Sequence, residues 1–174
     1  MTSTPDFPAG ELPEWGAFDP TRRDELILDL AQAPRRLAAV VESLPEDQLD
    51  RKYRNWTIRQ IVHHIADSHV HSYIRFKWAL TESCPTIKAY EEADWVKTPD
   101  VVSGDVAPPL ALLHGLHQKW VQTLSAMSPE DFSRSFVHPQ TGEQVSLWQA
   151  LNYYPWHSHH HTAQIQWLAD HPDH

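Results

Sequence analysis

The sequence predicts an all-α protein built as a four-helix bundle. Four segments of roughly 20 residues repeat apolar side chains at intervals of three and four, which is the period of an amphipathic helix. No segment alternates apolar and polar residues over a comparable length, so a large sheet is not expected. The 174 residues, 41% of them hydrophobic, suffice for one core. We therefore expect one helical domain over 1–174, with an arm over 1–20 and the bundle over 21–169.

The arm and the first helix follow from the distribution of proline. Four prolines and little periodicity in residues 1–20 predict an extended arm that lies on the body of the protein. The first helix is predicted over Thr21–Leu44. Pro34 lies inside this segment, so a kink or a break is expected near Ala33.

The second helix is expected to begin after a cap at Asn55 or Thr57 and to run to about Glu82. Residues 84–107 contain prolines and a glycine but no sustained period, which indicates a long connection. A connection of this length can cross one end of a bundle. The two helices that it joins can therefore run parallel.

The third helix is expected over 108–127, with two prolines in its first turn, where proline is tolerated. A turn signal at 139–142 between short apolar runs predicts a small hairpin. The last helix is predicted over Leu147–Ala169, and Pro155 should kink it close to a group of histidines. These four helices complete the predicted bundle.

The charge and the single cysteine exclude several classes of function. Lys and Arg number 14 against 23 Asp and Glu, which gives a net charge of −9. Nucleic acids and anionic membranes bind basic surfaces, so neither is an expected partner. The expected partner is a small-molecule substrate. Cys84 alone supports neither an internal disulfide nor a cysteine-rich zinc site. Without a signal-like start or a run of about 18 apolar residues, the protein is expected in the cytoplasm.

The 13 histidines are the feature that suggests chemistry, since imidazole is the commonest metal ligand in proteins. A metal site in a bundle needs ligands about one turn apart on a helix that faces the core. Among the histidines, His157 and His161 have the i, i+4 spacing on one face of the last helix. They could chelate zinc, with nickel, cobalt or iron as alternatives. Packing or solvation remains the alternative role for any single histidine.

A third ligand should come from the second helix, where the pattern favours one residue without excluding another. His69 lies in the middle of the apolar stripe, whereas His64 lies on its flank. By pattern alone His69 is the better candidate. Four histidines are weaker candidates. His63 and His71 point away from the stripe, and His114 and His117 form an i, i+3 pair typical of surface or packing positions.

Four segments resemble the YfiT-type branch of the DinB-like superfamily: WTIRQIVHHIADSHVHSYIRFKWALTE, PTIKAYEEADW, TGEQVSLWQALNYYPWHSHHHTAQI and FPAGELPEW. The resemblance spans nearly the whole chain. It implies an up-down-down-up four-helix bundle, often a homodimer, that binds one divalent metal, zinc or nickel, through three histidines. The second histidine of HHIADSH is His64, and the first and last of HSHHH are His157 and His161. The resemblance thus replaces His69 by His64, which suggests that another subunit or the arm covers a second side of this helix.

Two features depart from the family pattern. Pro155 directly precedes WHSHHH and could alter how His157 is presented. Additional histidines surround the motif and could bind a second metal ion in purified protein: His71, His159 and His160.

The resemblance implies a metal-dependent hydrolase in which the metal activates water. Two alternatives remain: a metal-dependent thiol S-transferase using bacillithiol, mycothiol or glutathione, and a non-enzymatic metal-binding bundle. Asp67 could orient a ligand or act as a base, or could simply be solvated. Arg75 and Lys77, with Glu82, could bind an anionic substrate group or be paired on the surface. No residue is assigned a catalytic role.

Overall fold

The computed structural model describes residues 4–102 and 104–173. The described elements, in chain order, are α1 (Pro20–Glu42), a single 3₁₀ turn (Glu46–Gln48), β1 (Lys52–Tyr53), β2 (Trp56–Thr57), α2 (Ile58–Thr81), α3 (Glu92–Trp95), α4 (Pro99–Val102), α5 (Ala107–Ala126), α6 (Pro129–Ser133), β3 (Ser135–Val137), β4 (Gln144–Ser146) and α7 (Leu147–Asp170). The four long helices α1, α2, α5 and α7 form the predicted bundle.

Each long helix packs against two others: α1 and α2 both contact α5 and α7. One apolar cluster joins the start of α1, the end of α2, the end of α5 and the start of α7. A second apolar cluster joins the four opposite helix ends. Helices α1 and α7 therefore run in one direction and α2 and α5 in the other, which confirms the expected up-down-down-up order.

Side-chain caps fix where the long helices begin. The Asp19 carboxylate accepts hydrogen bonds from the first backbone N–H groups of α1. Thr57 and Gln60 form a reciprocal capping box at the start of α2, so Thr57 and not Asn55 is the cap. Ser146 and Gln149 form the same arrangement at the start of α7. Each box satisfies two backbone donors that the first helical turn leaves without partners.

Neither internal proline ends its helix. Helix α1 continues through Pro34 and α7 continues through Pro155, so the break considered at Ala33 is wrong. Both proline rings are buried, in a bundle where each helix contacts two neighbours. Packing of the apolar face offsets the backbone hydrogen bond that each proline removes.

Several short elements were not expected from the sequence. The connection over 84–107 contains α3 and α4, and strands β1 and β2 form a two-residue hairpin before α2. These elements are too short to show a period in the sequence. The predicted hairpin before α7 is confirmed as β3 paired antiparallel with β4, and Gly142 has φ 70° in its turn.

The described part of the arm, residues 4–19, contains no helix or strand, as expected, and contacts α7, while residues 1–3 lie outside the described residues. The indole N–H of Trp148 donates to the carbonyl oxygen of Gly16 at 2.9 Å, and that of Trp156 donates to Gly10 at 3.0 Å. The Phe7 ring packs on the Trp156 ring. Within the described ranges, no helix has both the length and the apolar character needed to cross a membrane.

Candidate metal centre

A buried polar layer separates the two apolar clusters at mid-height of the bundle. It comes from the middle of α2, α5 and α7, and consists of Ser68, His69, Ser72, His117, His157 and Ser158. Polar groups so enclosed need hydrogen-bond partners or another ligand, because burial removes their contact with water. The partners of each imidazole nitrogen therefore indicate what each histidine does.

The three histidines named by the resemblance meet at one side of this layer. His64 projects from α2, and His157 and His161 project from successive turns of α7. One ring nitrogen from each lies within 4.8 Å of the other two. The Nε2 atoms of His64 and His157 are 3.3 Å apart. The i, i+4 spacing thus brings two of the histidines together, and the fold supplies the third.

The separation of 3.3 Å fits two ligands of one metal ion. Zinc–nitrogen bonds are about 2.0–2.1 Å long, so two imidazole nitrogens on one tetrahedral ion lie about 3.4 Å apart. Three imidazoles are also a donor set that suits zinc and nickel. The residues present therefore fit a divalent ion.

A chain of imidazoles fixes the orientation of the His157 ring. The carbonyl oxygen of Leu30 can only accept, so His117 Nδ1, 2.7 Å away, donates to it. Neutral His117 then accepts at Nε2 from His69 Nδ1, at 2.8 Å. His69 Nε2 in turn accepts from His157 Nδ1, at 3.3 Å. This sequence of tautomers, inferred from the hydrogen bonds, leaves the lone pair of His157 on Nε2.

The other two rings are held differently. His161 Nδ1 donates to the side-chain oxygen of Gln164 at 2.8 Å, which leaves its Nε2 free to bind a metal. His64 packs against the Trp56 ring, with 4.7 Å between ring centroids. Its Nδ1 is buried and has no partner among the described residues. Metal-binding histidines commonly donate their second N–H to a partner, so His64 is the least constrained of the three.

Burial keeps these imidazoles neutral, which is the form that binds metals. It lowers the pKa of His64 to about 4 and, together with the nearby His64, lowers the pKa of His161 to about 3. Burial also lowers the pKa of His157 well below its ordinary value. Near neutral pH all three rings therefore offer lone pairs without first losing a proton.

His69, the candidate that the apolar stripe favoured, is fully buried but is not in the group of three. Both of its ring nitrogens face other imidazoles. His64 is buried on the flank of the stripe, where Trp56 of β2 packs on its ring. The first hairpin and α4 thus give α2 additional cover, and cover by a second subunit stays a prediction.

The remaining described histidines lie outside the group of three, and His174 lies outside the described residues. His71 stacks on Tyr90, His159 contacts Asp29 and His160 stacks on Trp156. In the described ranges these three histidines form no second group of three close ligand atoms. The other five lie apart from the group as well: His63, His114, His117, His138 and His171.

The charged residues considered from the sequence differ in their surroundings. Burial and the nearby Asp100 raise the pKa of Asp67 to about 6, but Asp67 makes no hydrogen bond to any of the three clustered histidines within the described part of the chain. An orienting role toward His64 is therefore not seen. Lys77 and Glu82 are exposed, whereas Arg75 lines a cavity.

A protein-family comparison identifies the class. The family model described as the DinB superfamily matches residues 29–165, which include all three clustered histidines. The chain belongs to the DinB superfamily.

Individual relatives agree with this assignment over nearly the full length. The chain is 42% identical to "Putative metal-dependent hydrolase YfiT" of Bacillus subtilis, over 94% of this chain and 93% of that protein. A similarly named protein of Bacillus mycoides is 41% identical, over 94% of this chain and 95% of the relative. The solved structure of B. subtilis YfiT, described as a probable metal-dependent hydrolase with an unusual four-helix bundle topology, superposes with a TM-score of 0.92. That match covers 95% of this chain and 96% of YfiT, and confirms the expected YfiT-type resemblance.

Proposed function

We propose that this protein is a metal-dependent hydrolase in which His64, His157 and His161 hold one divalent ion, zinc or nickel. The observation that carries the proposal is the convergence of three neutral imidazoles from two helices, with nitrogen atoms within 4.8 Å of one another. The names of the relatives support the hydrolase class.

Three protein ligands are typical of a catalytic metal, because a structural zinc site usually closes its coordination with four. When bound, such an ion supplies an acidified water and polarises a carbonyl group. The chain's own residues keep the ligand rings neutral through burial, and the His69–His117 pair and Gln164 hold two of the rings in the binding tautomer.

Metal analysis of purified protein tests the ligand set. We expect about one equivalent of zinc or nickel in the wild type and none in His157→Ala. His114→Ala serves as a matched control, because His114 is exposed and lies on α5 away from the group. Stoichiometric metal in His157→Ala would overturn the proposed site.

Activity assays then separate the classes of function. We expect the metal-loaded protein to hydrolyse members of a panel of esters and amides, and His64→Ala to lose this activity. Turnover only when bacillithiol, mycothiol or glutathione accompanies an electrophile would instead establish the S-transferase. No turnover in any assay, with metal bound, would establish a non-enzymatic metal-binding bundle.

The cytoplasmic location and the homodimer implied by the resemblance stay predictions. Fractionation of cells and sedimentation of the purified protein would test them.

A further inference from the structure

A second feature of the molecule is a cavity of about 570 Å³ beside the histidine layer. Residues from α2, the long connection, the β3–β4 hairpin and α7 line it. The Tyr153 and Tyr154 rings form part of its wall and also contact His157, with ring centroids 5.6 and 5.9 Å from that of the imidazole. The cavity therefore lies about one ring away from the proposed metal ligands, and its volume is typical of small-molecule sites.

Arg75 is the cationic side chain that lines this cavity. Its Nε is buried without a hydrogen-bond partner, and none of the described residues forms an ion pair with its guanidinium within 4 Å. The Arg75 side chain is partly buried, and a shielded N–H donor without an acceptor is costly, because Arg stays charged at every ordinary pH. Glu92 lies close enough to interact electrostatically with Arg75, but the Nε–H donor has no acceptor among the described residues.

Other groups in the cavity complete a recognition site. His138 also lines it, and its Nδ1 is a second buried atom without a partner in the described ranges. Burial and the nearby Arg75 lower the pKa of His138, so this ring is neutral and can donate a hydrogen bond without adding charge. The apolar part of the lining includes Phe136 and Tyr153. The cavity thus combines one partly buried cation with a shielded donor, a neutral polar ring and aromatic walls.

Two carboxylates also line the cavity, Glu92 and Glu143. Both residues are exposed, although burial raises the pKa of Glu92 and its carboxylate interacts electrostatically with Arg75, whereas Arg75 Nε is shielded from solvent. An occupant can therefore place an anionic group on Arg75 inside the cavity and direct other atoms toward the opening.

We propose that this cavity binds a small organic carboxylate, whose anionic group pairs with Arg75 and whose apolar body packs on the aromatic walls. Guanidinium and carboxylate form two parallel hydrogen bonds, a geometry that favours carboxylates over neutral amides of the same shape. The inference goes beyond the proposed function and does not depend on a bound metal.

The test is a titration of the ¹⁵N-labelled full chain with benzoate and hexanoate, followed through the Arg75 Nε–H signal. The signal is assigned by its absence from Arg75→Gln. We expect a saturable shift with at least one of the two carboxylates, none with benzamide, and binding weakened by about tenfold or more in Arg75→Gln. Arg75→Lys should bind with intermediate affinity because it keeps the charge but loses the paired geometry.

Two controls distinguish this site from other carboxylate sites. Arg35→Gln removes the same charge from an exposed position on α1 and should leave binding unchanged. Treatment with EDTA should also leave binding unchanged, since Arg75 and not a metal ion holds the carboxylate. The proposal is overturned if neither carboxylate gives a saturable shift, if benzamide binds equally well, or if EDTA abolishes binding. Failure of the metal site alone would leave the Arg75 result intact.

Discussion

Two groups of imidazoles occupy the middle of the bundle, and they differ in how their nitrogens are used. His69 and His117 stack with ring centroids 4.9 Å apart, and both nitrogens of each ring have a partner. In the group of His64, His157 and His161, two Nε2 atoms face each other at 3.3 Å. Both groups are well enclosed, so enclosure alone does not identify a metal ligand. The direction of the free lone pairs distinguishes the proposed ligand group from the stacked pair.

The difference begins at one backbone carbonyl. The carbonyl oxygen of Leu30 accepts a hydrogen bond from His117. His117 then accepts one from His69, and His69 accepts one from His157. The stacked pair is thus a support for the ligand group rather than a competitor for the metal. Substitutions that act on one group but spare the other test this interpretation.

Acidification should have the largest effect, because it acts on both groups. Burial lowers the pKa of His117 to about 4, against about 6.5 in an unfolded chain. Below pH 6.5 the unfolded chain binds more protons, so the free energy of unfolding falls as the pH drops toward 4. His117 alone should account for about 3 kcal/mol over this interval. Urea denaturation of metal-free protein between about pH 7 and about pH 4 measures the loss.

The control for this prediction is His117→Phe, which removes one titrating group from the layer. Its free energy of unfolding should depend less steeply on pH than that of the wild type. Equal pH dependence of the two proteins would show that His117 is not buried as the neutral ring.

Removal of a ligand should abolish the effect of metal on stability. At a free zinc concentration of about 100 times the Kd, binding adds about 2.7 kcal/mol to the free energy of unfolding. We expect this gain in the wild type and not in His161→Ala, as measured by thermal unfolding with and without zinc. An undiminished gain in His161→Ala would place the metal elsewhere.

Changes in the supporting pair should weaken metal binding without abolishing it. His69→Leu removes the acceptor for His157 Nδ1, and loss of such a partner typically lowers metal affinity by about 10–100-fold. His69→Gln can still accept from His157 and donate to His117, so it should retain more of the affinity. Competition with a chromogenic chelator measures both. Equal affinity in His69→Leu and the wild type would contradict the supporting role.

The smallest effect is expected at the surface. His159 contacts the Asp29 carboxylate at 2.8 Å, and the His159 side chain is 43% exposed. His159→Ala should change the free energy of unfolding by about 1 kcal/mol or less and leave zinc affinity unchanged. Chemical denaturation and the same chelator competition check this. A large loss of zinc affinity would show that the metal site extends to α1.

The sequence predicted those parts of the site that depend on a single helix. The i, i+4 spacing predicted that His157 and His161 lie close together, as the structure has them, and the four long periods predicted the bundle. His64 could not be chosen over His69 by periodicity, because its ring is covered by β2, which lies outside the helix pattern. The resemblance supplied that choice. The signal that could have supported it is Trp56, which packs on the His64 ring.

The sequence alone could not predict the His69–His117 pair or the Arg75 cavity, for a related reason. His117 had the spacing of a surface or packing residue, and its contact with Leu30 joins two helices far apart in the chain. Arg75 was one of three charged candidates on or near α2, and only its position relative to α7 and the β3–β4 hairpin distinguishes it. The residue pattern within one helix carries no information on the distances between side chains of different helices.

The location of the polar layer between two apolar clusters has a consequence for metal exchange. Each cluster draws on all four long helices and includes none of the three ligand histidines. A zinc finger unfolds when its metal is taken away, since the ion replaces a core. Here both cores would survive chelation, so the protein should tolerate repeated cycles of demetallation and reloading and could exchange one metal for another without refolding.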